Sequence, residues 1–231
     1  ENEISRKILE LTVNKNSNNW SLGLFKLAMI NFDQRLFSKT FSELLENFSF
    51  REVFKNVFVP LMNELGTLWQ TNSISPSHEH FITSLIKQKI HSICEELQQT
   101  KIKRNDRKFV LFLPDNEIHE LGLLYLQYEV LNHGFQCVFL GQSVPIESLK
   151  NLVDIGEPIT FISYFTIEPN QEKIDEYLND FNEEILKNMN VNACIINARF
   201  VKPLDKDLII PLANKIQKVV TMEEGTLIGG F

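Results

Sequence analysis

The spacing of apolar residues changes once along this chain, near residue 100, and the change separates two kinds of fold. Before it, apolar residues recur at intervals of three and four. "WSLGLFKLAMINF" places Trp20, Leu24, Leu27, Ala28 and Phe32 on one stripe. "RLFSKTFSELLENF" repeats the pattern at Leu36, Phe37, Phe41, Leu44, Leu45 and Phe48. "REVFKNVFVPLMNELGTLW" does so at Val53, Val57, Leu61, Leu65 and Leu68. Such stripes mark amphipathic helices. A fourth helix is announced by Ser75 as N-cap and Pro76 at the first helical position, with Phe81, Ile82, Leu85, Ile86, Ile90, Ile93 and Leu97 as its stripe. Four helices on short connections predict a bundle over residues 1–98.

The polar run "QQTKIKRNDRK" follows, and residues 99–107 within it read as a linker. Short apolar runs then take over: "KFVLFLP", "FQCVFLG", "PITFISYF", "VNACIINA" and "KVVTM". They alternate with helical stretches at 117–132, 146–153, 170–188 and 205–216. This alternation predicts an α/β domain over 108–231, a flavodoxin-like (Rossmann-type) doubly wound parallel sheet with helices on both faces. Neither GxGxxG nor GxxxxGK[ST] occurs, so the usual dinucleotide and P-loop readings lose their main support.

The formal charge of −7 argues against this segment itself clamping a phosphate backbone. Cys94, Cys137 and Cys194 stand far apart without a CxxC pair, which suits buried free thiols in a reducing, cytoplasmic setting. No apolar run has the length of a membrane span. The chain begins with Glu rather than Met, and an upstream domain is expected to be missing from it.

The chemistry-bearing residues cluster after the first strand, in "LPDNEIHELG". Ligands of doubly wound sheets bind at this carboxyl edge. His119 has Glu117 two residues before it and Asp115 nearby, either of which could hold one ring nitrogen while the other ligates a metal. Gly122 leaves room for a bulky group to approach the backbone. Taken alone, the pattern also suits a solvated loop histidine.

Glu117-x-His119-x-x-Gly122 resembles the D-x-H-x-x-G signature of cobalamin-binding domains, with Glu in place of Asp. Ser163-Tyr164-Phe165 stands about forty residues later, where that family has S-x-L. "FLGQSVPIESL" resembles its second strand and following turn. The resemblance implies His119 as the lower ligand to cobalt, and Gly141, Ser143, Val144 and Ser163 around the displaced nucleotide tail. Trp69, followed after nine residues by Glu79-His80, resembles the cap of cobalamin-dependent, light-sensing transcriptional regulators of the MerR type. By that resemblance the bundle covers the upper cobalamin face, Trp69 packs on an adenosyl group and Glu79 meets its ribose. His80 is then free to ligate cobalt after photolysis. The implied cofactor is adenosylcobalamin, the implied assembly a homo-oligomer, and DNA is reached only through an absent upstream winged-helix domain. Taken singly, Trp69 also suits a helix core and Glu79 a first helical turn.

His78 reads as solvated, His91 has no evident ligand role, and His133 before Gly134 looks like a helix C-terminal residue. Asn197-Ala198 stand near the place of the family's Gly-Gly, where side chains would crowd the tail. From about residue 191, "NARFVKPLD", "VVTMEEG" and "IGGF" resemble the C-terminal domain of 1-deoxyxylulose-5-phosphate synthase, a transketolase-like enzyme, which suggests a chimera, with a divergent natural sequence that converged on the pattern as the alternative. No catalytic residue transfers with that segment. The leading expectation is a sensory binding module rather than an enzyme. The alternatives are a corrinoid methyl carrier partnering methyltransferases, or a chimeric scaffold with an impaired cofactor site.

Overall fold

The computed structural model describes residues 17–70, 74–100, 104–153 and 159–188. The chain divides into two compact units, Glu1–Ser92 and Ile93–Phe231.

In the first unit, α1 (Ser17–Ile30) and α2 (Gln34–Leu45) are separated by a turn whose Asp33 carboxylate caps α2, accepting from Leu36 N at 2.9 Å. The next helix starts at a capping box: Ser49 and Glu52 each accept from the other's backbone N–H. This rod runs as α3 (Phe50–Val53), a π-turn (Phe54–Phe58) and α4 (Val59–Gln70). Pro60 has no N–H to return to the preceding turn, and the wider π-turn lies immediately before it. Helix α5 (Pro76–Thr100) completes the four rods that the apolar stripes predict.

Aromatic rings fill this unit. Phe58 is fully buried, with ring centroids of Phe25, Phe41 and Phe37 at 5.4, 5.8 and 6.3 Å. Helices of ordinary propensity are held here by burial of their shared stripe.

In the second unit, β1 (Arg104–Phe112), β2 (Phe135–Gly141) and β3 (Ile159–Ile162) form a parallel sheet in the order β2-β1-β3. Central β1 is buried on both faces, with Val110, Leu111 and Phe112 at 0–1% exposure. On one face α6 (Leu121–Asn132) packs Leu123 against Leu111 and Leu113. On the other, Phe112 joins Val144, Leu149 and Ile185. Those three come from the β2–β3 crossover, which includes a 3-10 turn (Ile146–Leu149) and α7 (Lys150–Val153), and from the π-turn (Asn182–Leu186) after α8 (Ile174–Phe181). Helical cover on both faces of a parallel sheet is the expected doubly wound arrangement. The strand order places a switch point between β1 and β3, where consecutive crossovers leave in opposite directions.

Several boundaries differ from the sequence reading. Helix α5 extends to Thr100 and β1 starts at Arg104, so regular structure takes up most of the polar run. A bulge between Arg104 and Lys108 lets that charged beginning pair with β2. Glu117 and His119 precede α6 in a loop, whereas the stripe placed a helix from 117. Strand β3 stops at Ile162, which leaves Ser163–Phe165 in the loop beyond it. The expected elements at 191–198, 205–216 and 218–222, with Cys194, Asn197 and Ala198, lie outside the described residues.

Replacing Phe58 with Ala should lower the unfolding free energy by about 3–4 kcal/mol, because the surrounding rings cannot collapse into the space. Urea titration followed by circular dichroism measures this, and an unchanged midpoint would contradict the packing described.

Candidate functional site

Three loops meet at the carboxyl ends of the strands, and Glu117 joins them. Its backbone N–H donates to Pro114 O at 3.0 Å, and its carbonyl accepts from Ser143 N, after β2, at 3.1 Å. Its side chain is fully buried. Oε1 accepts from Ile118 N and His119 N, both at 2.9 Å, and lies 2.6 Å from His119 Nδ1. Oε2 reaches across the switch point to the loop after β3. There it accepts from the Thr166 hydroxyl at 2.6 Å and from the N–H groups of Thr166, Ile167 and Glu168 at 2.9, 2.8 and 3.2 Å.

Burial alone would push the Glu117 carboxyl up. The hydrogen bonds from Ile167 N, the Thr166 hydroxyl, His119 N and the His119 ring outweigh it, and the carboxyl is held well below the usual range. A charge this well satisfied can stay buried. It also selects the histidine's tautomer. With Nδ1–H donated to Glu117, the lone pair of Nε2 is free, and the His119 side chain is 48% exposed.

The two candidate partners of His119 are thereby told apart. Glu117 holds the ring, while Asp115 Oδ1 accepts from the Ser143 hydroxyl at 3.0 Å. Ser143 in turn accepts from Asn116 N at 3.0 Å, and both residues sit at positive φ, 53° and 65°. Gly141 has φ 80°, a conformation glycine adopts without strain at the strand's exit. Val144 turns inward to the core beside Phe112. Gly122 does make room for a bulky group, and that group is Tyr164: a Cβ at 122 would lie 3.2 Å from its hydroxyl.

Thr166 and Tyr164 carried no signal as site residues in the sequence. Their contacts arise only when the loops after β1 and β3 come together. Ile118 and Ile167, whose amides bind the same carboxylate, are 58% and 64% exposed, so apolar side chains stand in both loops that hold the imidazole. Ser163 Oγ is buried with no hydrogen-bond partner. Such an orphan costs about 1–3 kcal/mol unless a ligand or water satisfies it.

Among the described residues no group of three or more His, Cys, Asp or Glu could hold a metal ion. A single free imidazole nitrogen suits a metal whose other positions are already filled by a chelate. Together with the exposed apolar residues and the orphan hydroxyl, this donor set fits a corrinoid.

In the first unit, Glu79 and His80 lie in the first turn of α5. Glu79 Oε1 accepts from the Thr83 hydroxyl at 2.9 Å, and Oε2 lies 3.1 Å from His80 Nδ1. The His80 side chain is 79% exposed. Trp69 falls in α4, and its side chain lies outside the described residues. His78 is not the solvated bystander expected. Its Nδ1 accepts from Ser75 N at 3.2 Å, and its ring stacks on Phe32 at 4.8 Å. Ser75 stands directly before Pro76, the first residue of α5, and its hydroxyl meets this ring at 2.8 Å. His133 caps the end of α6, with Nδ1 2.7 Å from Glu129 O.

Comparison with known proteins gives two separate likenesses. Residues 24–93 match the family described as B12 binding domain, and residues 183–231 match the transketolase C-terminal domain. The fold is similar to that of the monomethylamine corrinoid protein of Methanosarcina barkeri, with a TM-score of 0.61 at 16% identity over 75% of this chain and 82% of that one. The chain is also 39% identical over 102 residues to 1-deoxy-D-xylulose-5-phosphate synthase of Crocosphaera subtropica, and 64% identical over 103 residues to that of Prochlorococcus marinus. Each stretch covers 44% of this chain and 14% of the synthase, so the chain spans about a seventh of the length of these curated relatives. The transketolase-type match begins at 183, before the expected 191.

The low carboxyl pKa makes a prediction with a definite sign. A carboxyl depressed by folding contributes its full stability above its unfolded pKa of about 4.3. That contribution is lost as pH falls from there toward the folded value. Glu117→Gln should therefore cost about 2–3 kcal/mol at neutral pH, because it leaves buried donors poorly matched. It should also flatten the stability profile below about pH 5. Chemical denaturation across that range checks both, and a parallel profile in the variant would contradict the role given to Glu117.

Proposed function

We propose that this chain is a cobalamin-binding module in which His119 is the protein's ligand to cobalt. The observation that carries this reading is the Glu117–His119 pair: a buried carboxylate fixes Nδ1 and leaves an exposed Nε2 as the single free donor. When bound, cobalamin would supply a cobalt able to take an imidazole nitrogen, and His119 would hold it through Nε2. Ser163 is the hydroxyl available to a buried part of the cofactor, with Gly141, Ser143 and Val144 at the exit of β2 and Gly122 at the start of α6. The B12-family match over residues 24–93 supports the same cofactor class from the other unit. In this reading residues 1–98 form the helical module and 108–231 the cobalamin domain.

At the finer level the reading is the sensory part of a transcriptional regulator that prefers adenosylcobalamin and responds to light. Its support is the Trp69, Glu79 and His80 spacing, together with the pairing of His80 Nδ1 to Glu79, which leaves the second ring nitrogen of an exposed imidazole available. Trp69 and Glu79 would supply the adenosyl preference, and His80 would be the imidazole available to cobalt in the light-exposed form. A two-state response then needs only different stabilities of the module with and without the adenosyl group. The second reading, a corrinoid methyl carrier, is suggested by the fold shared with the monomethylamine corrinoid protein.

Titration with adenosyl- and methylcobalamin, in darkness and after green light, separates these readings. The regulator reading expects adenosylcobalamin to bind more tightly, Trp69→Ala to erase that preference, and illumination to change hydrodynamic size. Equal affinities with no change in size favour the carrier. His119→Ala should weaken binding of either cobalamin by about 10- to 100-fold. Unchanged affinity in that variant would overturn the ligand assignment.

A further inference from the structure

The ring and backbone of His119 offer four polar atoms, and Glu117 accounts for two of them, the backbone N–H and Nδ1. A third, the carbonyl oxygen, accepts from the Tyr164 hydroxyl. The same hydroxyl accepts from Leu123 N at 3.1 Å. Leu123 is the third residue of α6, so its N–H is one of those a helix leaves without an internal partner. Glu120, at the N-cap, provides no side-chain hydrogen bond there. Tyr164 supplies the missing cap from another part of the chain.

We propose that Tyr164 is a positioning residue for His119, locking the ligand loop to the start of α6 so that only Nε2 is left free. The phenol ring packs with the Leu111, Leu113 and Leu123 cluster, which anchors it below the loop. Gly122 belongs to the same device, since a Cβ at that position would lie 3.2 Å from the hydroxyl and 3.5 Å from Cζ. The histidine is thus held from two directions: by a carboxylate on its N–H side and by a phenol on its carbonyl side. Neither Glu117 nor Tyr164 alone fixes both ends of the residue that presents the ring. The hydroxyl also couples the orientation of His119 to the loop after β3, where Thr166 completes the grip on Glu117.

This inference rests on His119 being the cobalt ligand. The test uses the full chain loaded with Co(II) cobalamin and compares the wild type with Tyr164→Phe, which keeps the ring and removes the hydroxyl. The measured quantities are the fraction of bound cofactor with a protein nitrogen, from its electron paramagnetic resonance spectrum in protein labelled with ¹⁵N at histidine, and the affinity. Tyr164→Phe should reduce that fraction and weaken binding about tenfold, as loss of an orienting partner does. Gly122→Ala, which presses on the hydroxyl without removing it, should act in the same direction. Leu131→Ala, a cavity at the far end of α6, should lower the melting temperature yet leave the ligation spectrum unchanged. A wild type with no protein nitrogen on cobalt would overturn the ligand reading and this inference with it. A wild type so ligated, with the same spectrum and affinity in Tyr164→Phe and Gly122→Ala, would overturn the positioning role alone. A spectral change in Leu131→Ala equal to that in Tyr164→Phe would do so too.

Discussion

One buried carboxylate ties the carboxyl edge of the sheet together. Through its backbone, Glu117 joins the loop after β1 to the loop after β2, and through its side chain it joins both to the loop after β3. An ionised group in that position would be costly if any of its lone pairs were left unsatisfied. Here five backbone N–H groups, a hydroxyl and an imidazole converge on it. The loops are therefore arranged around a charge. The orientation of His119 follows from that arrangement.

The position of this charge follows from topology. A parallel sheet in the order β2-β1-β3 sends the chain to one side after β1 and to the other after β2, which opens a crevice between the ends of β1 and β3. A side chain just beyond β1 is well placed to bridge that crevice. Glu117 does so with its carboxylate, and Tyr164 returns the contact from the β3 side. The first unit uses different means: a cluster of phenylalanine rings holds its helices, and caps at Asp33 and Ser49 set where two of them begin.

What could be read in advance depended on how local the cause was. Helices α1 to α5 were legible because their stripes follow the 3.6-residue period, and the central strand was legible because both of its faces are buried. His119 with Glu117 was legible as a site, since carboxylate and imidazole lie two residues apart in one loop. Their roles relative to Asp115 were not, because the choice depends on Ser143 reaching Asp115 from beyond β2. Thr166 and Tyr164 act from more than forty residues away in sequence, and no spacing rule connects them to His119. The packing of His78 is not legible for a related reason: its partner Phe32 lies in the turn between α1 and α2. The start of β1 was hidden by charge, because Arg104 and Arg107 look like linker residues until Arg104 stacks on Phe135 and Arg107 bonds to Thr160.

In the proposed reading, Glu117 presents the Nε2 atom of His119 to cobalt. Electron paramagnetic resonance of Co(II) cobalamin bound to protein labelled with ¹⁵N only at histidine tests it most directly. An axial ¹⁴N nucleus splits the cobalt lines into triplets, and an axial ¹⁵N nucleus into doublets. Doublets in the labelled protein, returning to triplets when the label is withheld, are expected for a histidine ligand. Triplets in both samples would show that the cofactor's own base remains on the metal, and would contradict it.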